Sequence, residues 1–362
     1  MSTFAKKMFS MRKFFYLPSA LLSLLLIVTG CFDWEHTPQP YLVITGTYVL
    51  NGGSDEADAS LVKYFYQGTE APTDLFAQAN NGKTLGARAE DMLCVNGCFY
   101  ICATADKVLY KTDSLGRILT EIVTPKTARS PRHITIYKNH LYVSYAEGFV
   151  AEIDTTTSAI RVLEVGGTPN GIAAANDKVY VALSGNESTE VTVIEARTFA
   201  VMSSLAVDPN PGKLITHSEK LIYLLSDGNG ADVKSSLQII EAKEDEVYQL
   251  KSIHNAVDFT LVPGGLVYAL TEAEPGTFHI CPIDGALGMA IQENILGTDE
   301  KITLPTSLST DPVNGAIFLG QKDAEGHNSV KIFSRSGMYL DTFKTGGTAP
   351  AGVYFSTAVQ YI

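Results

Sequence analysis

The most regular feature of the sequence is a short apolar segment with a central aromatic residue, which recurs along the chain. Seven copies lie 38 to 52 residues apart and are centred on Tyr48, Tyr100, Tyr142, Tyr180, Tyr223, Tyr268 and Phe318. Turn-forming dipeptides such as Asn96-Gly97 precede most copies, and a proline lies eleven to thirteen residues upstream of four of them. Because such dipeptides close tight β-hairpins, each copy is predicted to be the second strand of a hairpin.

Two further apolar strands follow most of the aromatic segments. The third strand ends near an acidic residue, as at Asp154, Glu195, Glu241 and Asp284. Four strands in each stretch of about 40–50 residues, repeated seven times, are typical of a β-propeller. We therefore predict an all-β fold, a seven-bladed β-propeller with four-stranded blades. A helical solenoid is disfavoured, because no long apolar period of 3.6 residues follows residue 30.

The two ends of the repeat array complement each other. The first copy, at Tyr48, has no proline-led strand before it, whereas the last segment, which begins at Pro350, has no complete blade after it. Pairing of this C-terminal strand with the first blade would close the ring and leave no open sheet edge there. We predict a propeller over residues 42–362 that closes in this way. Eight partial blades or an open solenoid are the alternatives.

The first thirty residues have the pattern of a secretory signal. An apolar stretch over residues 14–28 follows a basic start made of Lys6, Lys7, Arg12 and Lys13. The ending Val28-Thr29-Gly30-Cys31 resembles the bacterial lipobox, which implies cleavage before Cys31 and acylation there with palmitate-type chains. We predict a lipoprotein signal peptide over residues 1–30 and a lipidated tether over residues 31–41, whose two prolines favour an extended chain. An ordinary secretory signal is the alternative.

The charge balance limits the range of partners. The chain has 27 basic and 39 acidic residues, and residues 1–30 contain four of the basic and none of the acidic ones, so their removal shifts the net charge from −12 to −16. Nucleic acids and anionic lipid surfaces bind to basic patches. We therefore expect no nucleic-acid partner, and contact with a membrane only through the lipid anchor.

The sequence contains no pattern typical of a catalytic or metal site. It has no G-x-S-x-G motif and no P-loop, and its seven histidines form no short-range ligand pair. The segment 227–232 lacks the full ligand set of a calcium loop. Four cysteines follow Cys31 in the sequence: Cys94, Cys98, Cys102 and Cys281. Their spacing is not that of zinc ligands, and they form either a disulfide or buried thiols. We predict that the protein is not an enzyme and holds no cofactor or metal.

Several predicted loops between second and third strands are long and polar. They cover residues 51–59, 184–190, 226–234, 271–277 and 321–328. In a propeller these loops share one face, and binding residues sit on loops held by a rigid scaffold. The candidate ligand-binding residues on this platform are Asn51, Arg88, Asp91, Arg132, Tyr145, Asn170, Asn186, Asn210, Asp227 and Asn229. Turn chemistry or inter-blade hydrogen bonding is the alternative role for each of them.

Several segments resemble one group of propellers. Tyr48-Val-Leu-Asn-Gly-Gly53 and Glu90-Asp91-Met92 resemble the opening of Bacteroidetes YVTN-type, YncE-like, surface propeller lipoproteins. The segments Ser130-Pro131-Arg132 and Gly167-Thr-Pro169-Asn-Gly-Ile172 resemble the blade starts of that family. The chain departs from the pattern at Gly52, where such proteins often carry Glu. The resemblance implies a seven-bladed fold and a location at the cell surface.

The resemblance also implies a function in nutrient capture. Some surface propellers of this kind bind cobalamin and hand it to a TonB-dependent outer-membrane transporter. We therefore expect a lipid-anchored, surface-exposed protein of the cell outer membrane that binds cobalamin or another small nutrient for such a transporter. A structural or adhesive surface-layer-type protein that binds glycan or protein is the alternative. A lactonase-like or lyase-like enzyme ranks third, because fold alone does not decide function.

Overall fold

A computed structural model describes residues 39–66, 71–127, 129–230, 232–250, 252–297, 300–323 and 326–361. The predicted signal peptide, the Cys31 lipidation site and most of the tether lie outside these described residues. The chain divides into a large compact unit, Val43–Ala358, and an end unit made of Met1–Leu42 and Val359–Ile362. In the end unit, the Tyr41 hydroxyl donates to Gln360 at 2.8 Å. Within the described ranges, no helix is long and apolar enough to cross a membrane.

In the described parts of the chain, six sheets each have four antiparallel strands in consecutive order, which confirms the predicted propeller blades. Blades 2 and 3 contain β3 (Asp91–Val95), β4 (Cys98–Ala103), β5 (Val108–Asp113), β6 (Ile118–Ile122), β7 (Pro131–Tyr137), β8 (His140–Tyr145), β9 (Phe149–Asp154) and β10 (Ile160–Glu164). Blades 4 and 5 contain β11 (Pro169–Ala175), β12 (Lys178–Leu183), β13 (Glu190–Glu195), β14 (Ala200–Ala206), β15 (Pro211–Thr216), β16 (Leu221–Ser226), β17 (Ser236–Glu241) and β18 (Glu246–Gln249). Blades 6 and 7 contain β19 (Ala256–Val262), β20 (Leu266–Glu274), β21 (Thr277–Asp284), β22 (Met289–Ala290), β23 (Leu304–Thr310), β24 (Ile317–Lys322), β25 (Asn328–Phe333) and β26 (Tyr339–Lys344).

Blade 1 closes the ring as the ends of the repeat array predicted. It contains β1 (Pro40–Asn51), β2 (Ser60–Tyr64) and β27 (Pro350–Tyr361), in the order β2-β1-β27. Next to this pairing, the amide of Gly52 donates to the carbonyl of Ala349 at 2.8 Å. The C-terminal strand therefore completes the first blade.

Blade 1 has three strands in the described part of the chain, and this corrects the prediction of four-stranded blades throughout. A short helix, α1 (Leu75–Ala79), follows β2 at the point where a fourth strand was expected. Asp74 starts this helix, because its carboxylate accepts hydrogen bonds from the amides of Phe76 and Ala77 at 3.0 and 3.2 Å. The helix also buries Phe76 completely, so capping and burial together favour a helical turn there.

The recurring tyrosines hold neighbouring blades together. Their rings are buried in apolar clusters, most of which two adjacent blades share. Four of their hydroxyls donate to a carbonyl just after the third strand of the next blade; these pairs are Tyr48–Ser114, Tyr180–Ala242, Tyr223–Gly285 and Tyr268–Arg335. Burial raises the pKa of Tyr223 to about 12. The repeat predicted from the sequence is therefore a repeated contact between blades.

The four later cysteines are all unpaired thiols. Cys102 and Cys281 are buried, and Cys94 and Cys98 are partly buried. Burial raises the pKa of Cys94 to about 12 and that of Cys281 to about 11. Burial also raises the pKa of Cys102. Because thiolates are the reactive form of cysteine, Cys94, Cys102 and Cys281 act as small apolar groups in the core.

Candidate functional site

The seven inner strands surround a cavity of about 940 Å³, called here the central cavity. All seven blades contribute to it, mostly through the first residues of β3, β7, β11, β15, β19, β23 and β27. The size lies near the upper end of the range for small-molecule sites. The central cavity is therefore the candidate functional site.

A repeated β-bulge places side chains in this cavity. Five inner strands shift register against their neighbour within their first residues, directly after Pro131, Pro169, Pro211, Ala256 and Pro305. A bulge leaves a residue outside the ladder and redirects its side chain. The residues that follow these five positions all line the central cavity: Arg132, Asn170, Gly212, Val257 and Thr306.

One side of the cavity carries a network of paired charges on blades 2 and 3. Arg132 Nε lies 2.7 Å from a carboxylate oxygen of Glu90, and Arg88 lies 3.8 Å from the other oxygen. Arg132 also reaches the hydroxyl of Ser184 at 3.5 Å. The guanidinium groups of Arg132 and Arg88 therefore both have the Glu90 carboxylate as a partner.

Asp91 is the centre of a second network on the same side. Its carboxylate accepts hydrogen bonds from the Tyr354 hydroxyl at 2.9 Å and from the Ile134 amide at 3.1 Å. His133 Nδ1 lies 3.5 Å from the same carboxylate. Burial, together with the charge of Asp91, raises the pKa of Tyr354 well above its usual value. Asp91 is thus held by the scaffold on both of its oxygens.

On blades 5 and 6, Lys213 and Asp258 form another pair, with 2.6 Å between Nζ and Oδ1. Asp258 also accepts hydrogen bonds from the amides of Phe259 and Leu308, each at 2.7 Å. The second of these bonds crosses from blade 6 to blade 7. Lys213, Asp258, Glu90 and His133 were not among the predicted site residues. For His133 and Lys213, the position two residues after a blade-start proline is the signal that could have identified them. Glu90 and Asp258 follow no such proline, so the sequence carried no comparable signal for them.

Asp227 differs from the other acidic residues of the cavity. Its backbone amide donates to the carbonyl of Asn210 at 2.9 Å, but its carboxylate has no hydrogen-bond or ion-pair partner in the described parts of the chain. Burial and the nearby charge of Asp258 raise the pKa of Asp227. The amide group of Asn170, which also lines the cavity, is unpaired among the described residues as well. These two side chains are available to a ligand.

The structure brings together five of the ten predicted site residues. Arg88, Asp91, Arg132, Asn170 and Asp227 all line the central cavity. The other five do not line it, and their side chains serve the scaffold or stand on loops: Asn51, Tyr145, Asn186, Asn210 and Asn229.

Four of these five contribute to the scaffold or to the structure of a loop. Asn51 is fully buried and donates to the hydroxyl of Ser60 at 2.9 Å. Tyr145 is buried in the apolar cluster between blades 2 and 3. Asn210 accepts a hydrogen bond from the amide of Gly185 at 2.8 Å. Asn229 likewise accepts from the amide of Val233 at 2.9 Å inside its own loop, and Asn186 lies exposed on a loop.

One predicted loop is much shorter than expected. Instead of covering residues 271–277, it consists of the two residues between β20 and β21. The strands extend because Glu272 pairs with Phe278 and Glu274 with Thr277. The other four long loops lie at 52–59, 184–189, 227–235 and 323–327. In the described ranges, no group of three or more His, Cys, Asp or Glu residues could hold a metal ion.

Sequence comparisons find one matching family model, which covers part of the chain. Residues 45–214 match the family described as "Domain of unknown function (DUF5074)". No curated protein matches the chain in sequence. The resemblance to YVTN-type lipoproteins stays a prediction.

Solved structures similar to this chain include a quinonprotein alcohol dehydrogenase-like protein from Bacteroides thetaiotaomicron VPI-5482, with a TM-score of 0.61 and 16% identity over 86% of this chain and 77% of that one. The hydrazine synthase of Kuenenia stuttgartiensis has a TM-score of 0.58 and 18% identity over 83% of this chain and 99% of that one. The WD40 β-propeller domain of Doa1 has a TM-score of 0.57 and 12% identity over 83% and 94%. At these identities the likeness shows the β-propeller fold alone.

Proposed function

We propose that this protein is a ligand-binding propeller that captures a polar small molecule in its central cavity. The observation that carries the proposal is the cavity itself, about 940 Å³ in volume and lined by both polar and apolar residues, most of them from the inner strands. A rigid scaffold that holds a few polar groups around a concave space is typical of small-molecule sites. Catalysis is not part of the proposal.

Cobalamin is the named candidate, for delivery to a TonB-dependent outer-membrane transporter. Its support is the resemblance to YVTN-type lipoproteins and the chemistry of the lining. A corrinoid carries many amide groups, which pair with amide, guanidinium and carboxylate side chains. Asn170, Arg132 and Asp227 supply one of each.

A location at the outer membrane is a further part of the proposal, and its support is the lipobox-like ending Val28-Thr29-Gly30-Cys31. The anchor has its own test, since Cys31→Ser should release the protein from the membrane fraction.

Isothermal titration with cobalamin tests the ligand. We expect micromolar or tighter binding, and a loss of about tenfold or more when Asn170→Ala removes a cavity amide, which corresponds to about 1.4 kcal/mol. Asn186→Ala is the matched control, because it removes the same group from an exposed loop outside the cavity. Absence of binding at micromolar concentrations would exclude cobalamin. Loss of binding in the control alone would move the site to the loops.

Exposed apolar side chains favour the second candidate, an adhesive protein that binds another protein or a glycan. On β14, the outer strand of blade 4, Val201 and Met202 are each about half exposed. Exposed apolar patches often mark interaction surfaces. If the double variant Val201→Ser, Met202→Ser lowers retention of the protein on whole cells while Asn170→Ala does not, the adhesive function is favoured.

A further inference from the structure

The unpaired carboxylate of Asp227 lies beside a gap that a glycine opens in the cavity wall. Gly212 occupies the bulge position of blade 5, where its neighbours carry Asn170 and Val257. A Cβ atom placed on Gly212 would lie 3.6 Å from Asp227 Oδ2, 3.6 Å from the Leu225 carbonyl oxygen and 3.7 Å from Asn170 Nδ2. No other atom would be nearer, so the gap, called here the Gly212 gap, has room for a methyl-sized group.

The polar groups around the Gly212 gap can all accept hydrogen bonds, as the binding of a primary ammonium group requires. A primary ammonium group has three N–H donors and no acceptor. Asp227 offers a carboxylate and Leu225 a carbonyl oxygen, while the amide of Asn170 can turn to present its oxygen. A movement of less than about 1 Å would bring these atoms to hydrogen-bond distance of a nitrogen in the gap.

The loop that holds Asp227 is fastened by its backbone. The amide of Asp227 donates to Asn210, and the amide of Gly228 donates to the carbonyl of Pro209 at 3.0 Å. Both bonds tie the loop to the connection between blades 4 and 5. The side chain is therefore positioned by main-chain contacts and keeps its oxygens free, which is how preorganised sites are built.

We propose that the Gly212 gap binds an aliphatic ammonium group of the ligand, with Asp227 as its counter-ion. The proposal rests on the proposed function insofar as the central cavity is the ligand site, but it does not depend on cobalamin. A second cavity of about 310 Å³ also reaches Asp227 and continues to Glu272 and Glu274. Lys234 also lines this cavity, but the three acids outnumber it, so the net negative charge there suits a second amine of a longer ligand.

Electrostatics around Asp227 support the assignment. Partial burial and Asp258 raise the pKa of Asp227, so a compensating positive charge nearby would stabilise its ionised form. An ammonium ion in the gap would supply that charge. The other acidic residues of the cavity, such as Glu90 and Asp91, already have partners.

The test uses 1,4-diaminobutane as the probe and 1,4-butanediol as its neutral counterpart, with binding to the full chain followed by ligand-observed NMR. We expect the diamine to bind at least about tenfold more tightly than the diol. Asp227→Asn should weaken diamine binding about tenfold or more, and Gly212→Ala should block it by filling the gap. Alanine fits there without strain, because its Cβ would make only ordinary contacts.

Asp55→Asn is the matched control, since Asp55 is an exposed acid outside the cavity and the variant removes the same charge. Diamine binding in this variant should equal that of the wild type. Equal affinity for diamine and diol, unchanged binding in Asp227→Asn, or equal losses in Asp227→Asn and Asp55→Asn would each overturn the proposal. Cobalamin binding without diamine binding would leave the proposed function standing and remove this inference. Diamine binding without cobalamin binding would support this inference and exclude cobalamin as the ligand.

Discussion

The contact between Tyr223 and the next blade provides a test of how the propeller is held together. Tyr223→Phe keeps the buried ring and removes only the hydroxyl that donates to the Gly285 carbonyl at 2.9 Å. A typical hydrogen bond contributes about 1 kcal/mol net, and a buried acceptor left unpaired costs about 1–3 kcal/mol. Gly285 is itself buried. We therefore expect the substitution to lower the free energy of unfolding by about 1.5–2.5 kcal/mol.

Tyr48→Phe is the matched comparison, because it makes the same chemical change at a weaker contact. The Tyr48 hydroxyl lies 3.3 Å from the carbonyl of Ser114, which is only partly buried. We expect a loss of about 0.5–1 kcal/mol there. Urea unfolding of both variants with a common m value gives the two differences. The interpretation is refuted if Tyr223→Phe costs no more than Tyr48→Phe, or if both cost less than about 0.3 kcal/mol.

Four further outcomes can be measured on the same protein. Gly171→Ala should lower the soluble yield and the melting temperature, because the added Cβ would lie 2.1 Å from the carbonyl oxygen of Gly212. A stability loss of about 2–3 kcal/mol is expected for such overpacking. A melting temperature equal to that of the wild type would contradict this expectation. Stability should fall as the pH rises from about 10 to about 12, because the raised pKa of Tyr223 keeps it protonated in the folded state while the unfolded chain ionises near pH 10. Tyr223→Phe should reduce this slope in a series of thermal melts. Deletion of residues 349–362 should unpair blade 1 and cause aggregation in size-exclusion chromatography, whereas full solubility and an unchanged melting temperature would argue against the observed closure. Asp227→Asn should leave the melting temperature at pH 7 unchanged or higher, because a raised folded-state pKa means that stability is lost as pH rises through it. A lower melting temperature would indicate a structural role for this carboxylate.

The fold was predictable because its signals serve the same physical purpose in every blade. Tyr180, Tyr223 and Tyr268 each bury a ring and donate to the following blade. A buried aromatic ring that recurs in all seven blades appears as a period in the sequence. The helix in blade 1 lacks such repetition. It depends on the single cap Asp74 and on the burial of Phe76, so the repeat offered no way to foresee it.

The site was harder to predict, because loops and ligands require the same residue types. Asn210 and Asn229 satisfy backbone amides, whereas Asn170 leaves its amide free in the cavity. In the sequence all three are asparagines near turns, and asparagine is common in turns for reasons unrelated to ligands. Only the structure shows which of them accepts a hydrogen bond from its own loop.

The bulge near the start of five inner strands separates residues that build the propeller from residues that line the cavity. A proline or alanine is the first or second residue of the strand, and the register shift after it turns the next side chain into the cavity. Of the five residues at this position, only Gly212 has no side chain. On the adjoining strand, by contrast, position 171 requires a glycine, since a Cβ on Gly171 would collide with the backbone at Gly212. The close approach of these two inner strands therefore has two consequences. It packs blades 4 and 5 together, and it leaves the opening in the cavity wall that Asn170 and Asp227 flank.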